Sequence, residues 1–345
     1  MIIREVENPK LKDLVGGYKY LSQEGWKRLE EDIISRIQFV GSGKGAIAII
    51  LKYLSEKKIF SNKLTEVIVP DWIGYWVYNQ IQTYAFPIKH FSERTKAILV
   101  YHQYGFPQDM DKILEFAADK KLIVIEDCAH ALESYYKGRL VGLIGDFSIY
   151  SFSKWFFCYA LGGVRSKYDD FPDFVDNLIA RTPFGITLLK DMAKFIYEKS
   201  SYSNNAVLKK YANLFLGMSY SFYGEALKPS RLALRLFYSK IFHEIEIRRQ
   251  RYHFFRQKTN HLGICDHLES EGVIPYVIPI RCSESKNNRL MNSLKDMNIV
   301  TGIYHFDVNR NLLSPNFVQT VWIPCHGGIS DDVFQTIAET VLRIL

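Results

Sequence analysis

The segment 122–163 constrains the fold most, because it contains two apolar runs that each end in a residue suited to chemistry. The first run ends at Asp127, with His130 three residues later, and the second ends just before Lys154. Short apolar runs bounded by polar residues and glycine are typical of buried strands. A carboxylate, an imidazole and an amine are therefore predicted at the ends of two successive strands.

The first half of the chain alternates strand-like and helical patterns. Strand-like runs occur at 66–70, 97–102, 122–125 and 145–152. Helical patterns occur at 23–37, 46–54, 72–81 and 111–120. This alternation predicts an α/β fold, with a mainly parallel sheet flanked by helices. Ligands of such sheets bind at the carboxyl ends of the strands. Pro70, His102, Asp127 and Lys154 all follow strand-like runs, so one composite site is expected there.

Two domains are predicted, a large one at 1–235 and a smaller α+β domain at 236–345. A long helical pattern at 230–257 leads into the smaller domain. That domain is expected to contain a strand at 273–281, a helix at 287–296, a strand at 300–304 and a closing helix at 331–345. The two prolines in the first of these strands favour a sheet edge. The divergent segment 169–228 has helical patterns at 186–197 and 207–216 but no recognisable motif.

A glycine-rich loop at 41–45 precedes the helical pattern at 46–54. Free N–H groups at the start of a helix, together with the helix dipole, favour a bound phosphate. Lys44 adds a positive charge, but Gly45 follows it where a Walker A loop has Ser or Thr. The loop therefore predicts either an anion site or an ordinary helix cap.

Bulk properties narrow the possible partners and location. The formal net charge is +7, and the basic residues are spread along the chain, so no nucleic-acid surface is predicted. The five cysteines are odd in number and none has CxxC spacing, which suggests neither disulfides nor a metal site and favours a reducing cytoplasm. No apolar run reaches the roughly 18 residues of a membrane span, and the first residues lack the apolar core of a signal peptide.

Each chemical residue has both an ordinary and a functional interpretation. Asp127 could cap a helix, or could hold the protonated ring nitrogen of an electron-withdrawing cofactor. Lys154 lies between apolar residues, where it either snorkels or has a lowered pKa suited to imine formation. His130 could be a packed histidine or could lie beside the same cofactor. The order and spacing of the three favour a pyridoxal 5'-phosphate (PLP) site.

Several motifs, in the same order along the chain, resemble those of the DegT/DnrJ/StrS family of PLP-dependent sugar aminotransferases, which have aminotransferase fold type I. They are GSG at 41–43, VIVP at 67–70, YHQYG at 101–105 with DM at 109–110, IEDCAHA at 125–131, SFSK at 151–154, GG at 162–163 and IPCH at 323–326. The chain is thus identified as a divergent member of this family, and the order of the motifs is their most specific property.

The resemblance implies a role for each residue of the predicted site. Lys154 would carry the cofactor as an internal aldimine and shuttle a proton. Asp127 would pair with the pyridine nitrogen, and His130 would lie by the phenolic oxygen of the cofactor.

The resemblance also implies how the phosphate and the ring of PLP would be bound. Ser42, Gly43, Lys44 and Ser151 would hold the phosphate. Gly74 stands at the family's usual position for the aromatic side chain that stacks on the cofactor ring, so Trp72, Tyr75 or Trp76 would have to replace it, and Tyr75 is the candidate.

In this family, members are homodimers that move an amino group, usually from glutamate, to a keto-sugar carried on a nucleotide. The resemblance therefore implies such an aminotransferase, acting in polysaccharide biosynthesis or in the formation of a glycosylated product. Two alternatives stay open. One is another PLP-dependent reaction on a nucleotide-sugar, such as dehydration, and the other is a non-catalytic relative that binds a ligand.

The sequence also differs from the family pattern. A single residue separates Phe152 from Lys154, where the family has three. Lys44 replaces a threonine, the segment 160–163 lacks the usual acid, and 229–231 lacks the asparagine that contacts the neighbouring subunit's phosphate.

Overall fold

The computed structural model describes residues 2–14, 36–201, 205–259 and 272–345. Residues 23–35 of the predicted helix at 23–37 lie outside the described residues. The larger sheet has seven strands in the order β1-β9-β8-β5-β4-β2-β3. Its strands are β1 (Gln38–Val40), β2 (Glu66–Ile68), β3 (Phe86–Ile88), β4 (Thr95–Tyr101), β5 (Ile123–Asp127), β8 (Phe147–Ser151) and β9 (Gly162–Ser166). The five strands from β3 to β8 are parallel, whereas β9 and β1 are antiparallel to their neighbours. The prediction of a mainly parallel α/β sheet is confirmed.

Helices connect and cover these strands. The described helices are α1 (Gly43–Glu56), α2 (Tyr75–Gln82), α3 (Met110–Lys120), α4 (Phe171–Ile179), α5 (Ile186–Ser200), α6 (Ala206–Tyr223), α7 (Arg231–Thr259), α8 (Glu284–Asp296) and α9 (Asp331–Ile344). The apolar side chains of α1 pack against Val67, Leu99 and Ile125 of the larger sheet. Among the described residues, no helix combines the length and the apolar character needed to cross a bilayer.

A three-stranded antiparallel sheet forms in the C-terminal third, with the order β10-β12-β11. Its strands are β10 (Val277–Arg281), β11 (Ile303–Asp307) and β12 (Phe317–Pro324), and a two-stranded hairpin of β6 (Tyr135–Tyr136) and β7 (Arg139–Leu140) lies earlier in the chain. The strand predicted at 273–281 is β10, and it is at an edge as its prolines indicated. The strand predicted at 300–304 begins later, at Ile303, and the sequence reasoning missed the central strand β12. The domain division at residue 235 stays a prediction.

The N-terminal segment 2–14 contacts several parts of the chain. Ile3 pairs with Ile299, just before β11. The Arg4 guanidinium lies 2.6 Å from the Glu198 carboxylate of α5. Further along, the Tyr159 hydroxyl donates to the carbonyl of Asp13 at 2.9 Å. The segment therefore ties the smaller sheet to α5 and to the loop before β9.

Glu126 is a fully buried carboxylate that organises the turn before β8. Its oxygens accept hydrogen bonds from the backbone N–H groups of Gly142, Ile144 and Gly145, and Oε2 lies 3.1 Å from His102 Nε2. Burial alone would raise the pKa of Glu126, but His102 and the backbone donors hold it below its usual value. His102, expected in the composite site, therefore belongs to the scaffold.

Ligand atoms of His102, Glu126 and Cys128 lie within 4.8 Å of one another, a spacing that a metal ion could bridge. The Glu126 oxygens, however, are already engaged by four hydrogen-bonding groups. Because these hydrogen bonds already occupy the Glu126 carboxylate, we interpret the three residues as part of the hydrogen-bonded core and assign no metal to them.

We predict that Glu126→Gln lowers the free energy of unfolding by about 3 kcal/mol, because an amide NH₂ would face buried N–H donors. The measurement is urea unfolding monitored by circular dichroism. Glu115→Gln on the exposed face of α3 is the matched control and should change stability by less than about 0.5 kcal/mol. Equal effects of the two substitutions would contradict the role given to Glu126.

Candidate active site

The carboxyl ends of β4, β5 and β8 bring the predicted chemical residues together. Asp127 is the last residue of β5, is 5% exposed, and is in register with Tyr101 of β4. Lys154 follows β8 in a short 3-10 turn, Phe152–Lys154. Although a single residue separates Phe152 from Lys154, this turn brings the Lys154 amine into the site, 3.1 Å from His130 Nε2.

His130 is the centre of the group. Its Nδ1 lies 2.6 Å from the Tyr101 hydroxyl, and its Nε2 faces Lys154. The imidazole stacks on the Tyr276 ring, with centroids 4.1 Å apart and 12° between the planes. Burial lowers the pKa of His130 well below its ordinary value, and the positive charges of Lys154 and Arg248 act in the same direction. The imidazole is therefore neutral at physiological pH.

Asp127 and Lys154 have opposite charges and influence each other. Burial raises the pKa of Asp127, against which the charge of Lys154 and the N–H of Ala129 act. Burial likewise lowers the pKa of Lys154, opposed by Asp127 and Glu5. The Asp127 carboxylate also accepts a hydrogen bond from Ala129 N at 3.0 Å. The site thus combines a buried acid with an amine that deprotonates more readily than a surface lysine.

The predicted phosphate loop lies against the end of β8. Ser42 caps α1: its Oγ accepts from Gly45 N at 2.9 Å and donates to the Tyr223 carbonyl at 2.6 Å. A Cβ placed on Gly43 would lie 2.7 Å from the Cβ of Ser151, so only glycine permits this approach. The start of α1 and Ser151 therefore form one surface, where N–H groups have no partners within the helix.

Gly162 and Gly163 are strand residues of β9. A Cβ on Gly162 would overlap the backbone carbonyl of Ser42. Gly162 thus lets the loop before α1 pack directly on the larger sheet.

Lys44 brings positive charge to this loop. Its amine lies 4.3 Å from the centroid of the Trp76 ring. Burial, followed by the charges of Lys194 and Lys154, lowers the pKa of Lys44 to about 7. An anion bound at the start of α1 would favour the charged form of Lys44.

The sequence reasoning missed two lysines of α5. Lys190 is fully buried and donates to the carbonyls of Gly41 and Ala160 at 2.6 and 2.9 Å, which fixes the loop. Lys194 pairs with Glu198 at 2.5 Å. Their spacing of four residues puts both lysines on one face of α5, but only the packing of α5 shows that this face meets the loop.

The aromatic candidates for stacking on a cofactor lie on and before α2. Tyr75 is 68% exposed and its ring packs edge-on against Trp76. Trp72 stacks on His305, with centroids 4.4 Å apart. Of these three candidates, Trp76 is the one whose ring contacts Lys44, and the role of Tyr75 stays a prediction.

Known proteins are similar in sequence to the part of this chain that contains the site residues. Residues 89–170 match the model of the DegT/DnrJ/EryC1/StrS aminotransferase family. GDP-perosamine synthase of Escherichia coli O157:H7 is 52% identical over 61 residues, which cover 18% of this chain and 17% of the synthase. The dTDP-3-amino-3,6-dideoxy-alpha-D-galactopyranose transaminase of Aneurinibacillus thermoaerophilus is 37% identical over 126 residues, 35% of this chain and 32% of the transaminase. The aligned segments thus span a third or less of these relatives.

The fold likeness extends over the whole chain. The crystal structure of the aminotransferase TlmJ from Streptoalloteichus hindustanus superposes with a TM-score of 0.67 at 15% identity, covering 100% of this chain and 99% of that one. The resemblance seen in the motifs is confirmed over the segment 89–170, which matches the family model and contains Asp127, His130 and Lys154.

We predict that Glu198 stabilises the protein at neutral pH and that this contribution disappears in acid. Burial would raise the pKa of Glu198, but Lys194 and Arg4 lower it to about 2, from an ordinary value of 4.5. Because the folded pKa lies below the unfolded one, the stabilisation is complete above 4.5 and is lost as the pH falls towards 2. Glu198→Gln should cost on the order of 3 kcal/mol at neutral pH.

The measurement is the free energy of unfolding of both proteins across this pH range, with the exposed Glu56→Gln as control. The difference between the native protein and Glu198→Gln should shrink as the pH falls. A difference that is independent of pH would contradict the prediction.

Proposed function

We propose that this chain, a divergent relative of the DegT/DnrJ/EryC1/StrS aminotransferases, is a PLP-dependent aminotransferase that transfers an amino group, preferably from glutamate, to a keto-sugar of a nucleotide-sugar. The observation that carries the proposal is the convergence of Asp127, His130 and Lys154 next to the anion-binding start of α1.

The residues present fit PLP. The start of α1, with Ser42, Gly43 and Lys44, and the adjoining Ser151 would hold the phosphate, since the missing Cβ of Gly43 lets Ser151 lie directly against the start of the helix. Asp127 is a buried carboxylate, and its pKa is raised because the charge of Lys154 does not fully offset the effect of burial. A protonated ring nitrogen would supply the missing positive charge. When bound, PLP supplies an aldehyde that condenses with amines and a ring that withdraws electrons from the carbon bearing nitrogen.

The side chains of this chain then divide the work. The lowered pKa of Lys154 enlarges its neutral fraction, so that its Nζ can act as a nucleophile and can accept or return a proton at the substrate carbon. His130 is neutral and held in place, so it can keep one proton at a fixed nitrogen. Asp127 stabilises positive charge at the bottom of the site.

The proposal includes the substrate class and the setting. The names of the two relatives, a GDP-sugar synthase and a dTDP-sugar transaminase, support a nucleotide-sugar as the acceptor. A cytoplasmic location and a part in polysaccharide biosynthesis follow from such a substrate. Of the two alternatives, the non-catalytic one is disfavoured because Lys154 reaches the site despite its short turn. The retained lysine also disfavours dehydration.

We also propose a homodimer. Four large side chains on α6 are between 45% and 61% exposed. They are Val207, Leu208, Tyr211 and Leu214. Residues 207, 211 and 214 recur at helical spacing, so they form an apolar stripe that a second copy would cover.

We predict that Lys154→Ala abolishes the visible absorption band of covalently bound cofactor and lowers turnover by at least ~10³-fold. Lys154→Arg is the matched variant, because it keeps the charge but cannot form an imine. The measurements are the spectrum after reconstitution with PLP and conversion to the amine form on adding glutamate. A native protein without the band would refute the proposed function, and a native band without a response to glutamate would point to a different reaction.

We predict that Leu214→Glu converts a dimer into a monomer, because it places a charge in the apolar stripe of α6. Analytical ultracentrifugation over a range of concentrations measures the mass. Asn213→Glu, which adds the same charge to an adjacent exposed position, should leave the mass unchanged. A native protein that sediments as a monomer at all concentrations refutes the dimer.

A further inference from the structure

A continuous chain of hydrogen-bonding groups runs from β4 to Lys154. The Tyr101 hydroxyl lies 2.6 Å from His130 Nδ1, and His130 Nε2 lies 3.1 Å from the Lys154 amine. Tyr101 is in register with Asp127 on the neighbouring strand, so the phenol is on the same face of the sheet as that carboxylate. The motifs of the family that pointed to His130 and Lys154 assigned no function to Tyr101.

The packing around His130 leaves its ring little freedom. Tyr276 stacks on the imidazole at 4.1 Å, and Tyr104 lies nearly parallel to it at 6.0 Å. Only 8% of His130 is exposed. Because these aromatic residues hold the plane of the imidazole, its main remaining freedom is which of the two nitrogens carries the proton.

The electrostatics keep both the phenol and the imidazole neutral. Burial raises the pKa of Tyr101 well above its ordinary value, so the hydroxyl retains its proton. Burial lowers the pKa of His130, so the ring has one N–H and one lone pair. The hydrogen bond at one ring nitrogen therefore sets the state of the other.

We propose that Tyr101 is a positioning residue whose O–H donates to Nδ1 of His130 and thereby fixes the tautomer with its proton on Nε2, facing Lys154. While the Lys154 amine is neutral, this N–H can donate to its lone pair, and it can equally donate to an oxygen of a ligand bound beside it. Its use in catalysis rests on the proposed aminotransferase function, whereas the tautomer itself does not.

Nitrogen-15 NMR of protein labelled at histidine, without added cofactor and over a pH range that extends until Lys154 is neutral, tests the tautomer directly. His130→Gln identifies the signals of His130 by their loss. The native protein should show a protonated Nε2 and an unprotonated Nδ1, and Tyr101→Phe should give a mixture of tautomers or the opposite one. Tyr104→Phe is the matched control, because it keeps the parallel ring but is not the phenol at Nδ1, and it should retain the native tautomer. A native protein with its proton on Nδ1, or a Tyr101→Phe variant with the native signals, overturns the proposal.

A second readout tests the catalytic use with the reconstituted protein. Tyr101→Phe should keep the visible absorption band and lower kcat roughly fivefold to tenfold, the effect of one net hydrogen bond, with little change in KM. An unchanged kcat would refute only the role of Tyr101 in the reaction and would leave the assignment of the tautomer standing. A native protein with neither band nor turnover would instead refute the aminotransferase function, while the NMR result would still decide the tautomer.

Discussion

Two consecutive carboxylates at the end of β5 serve opposite faces of the larger sheet, and much of the site depends on this alternation. Glu126 organises the turn before β8 through buried hydrogen bonds, which sets where that strand begins. Asp127 points the other way, to the face that Lys154 approaches. A one-residue shift in the register of β5 would turn each carboxylate to the opposite face of the sheet, so neither could make its present contacts. The scaffold and the chemistry are therefore fixed by the same strand.

The parts of the fold that the sequence predicted are those with strong local patterns. The parallel strands β2, β4, β5 and β8 are apolar runs, and α1 follows a clear glycine loop. In contrast, β3 has three residues including a proline, and β9 begins with two glycines, so neither has an apolar strand pattern. Such strands form because a neighbouring strand offers hydrogen-bonding groups, and that information is not local.

The site divides in the same way. Asp127, His130 and Lys154 were found because their order along the chain and their strand ends point to one edge of a sheet. Lys194 and Tyr101 were missed because their places depend on how α5 and β4 pack against distant segments. The difference between Tyr75 and Trp76 has the same origin, since the rotation of α2 about its axis decides which of these adjacent rings meets Lys44.

The N-terminal segment couples parts of the molecule that are far apart in sequence. It is paired with Ile299 beside the smaller sheet and linked through Arg4 to Glu198 of α5. Glu198 in turn pairs with Lys194, whose charge acts on Lys44. A swing of the smaller sheet would therefore pull on this linkage and change the electrostatic potential at the start of α1. Such a displacement would then change the affinity for an anion without any contact between that anion and the smaller sheet.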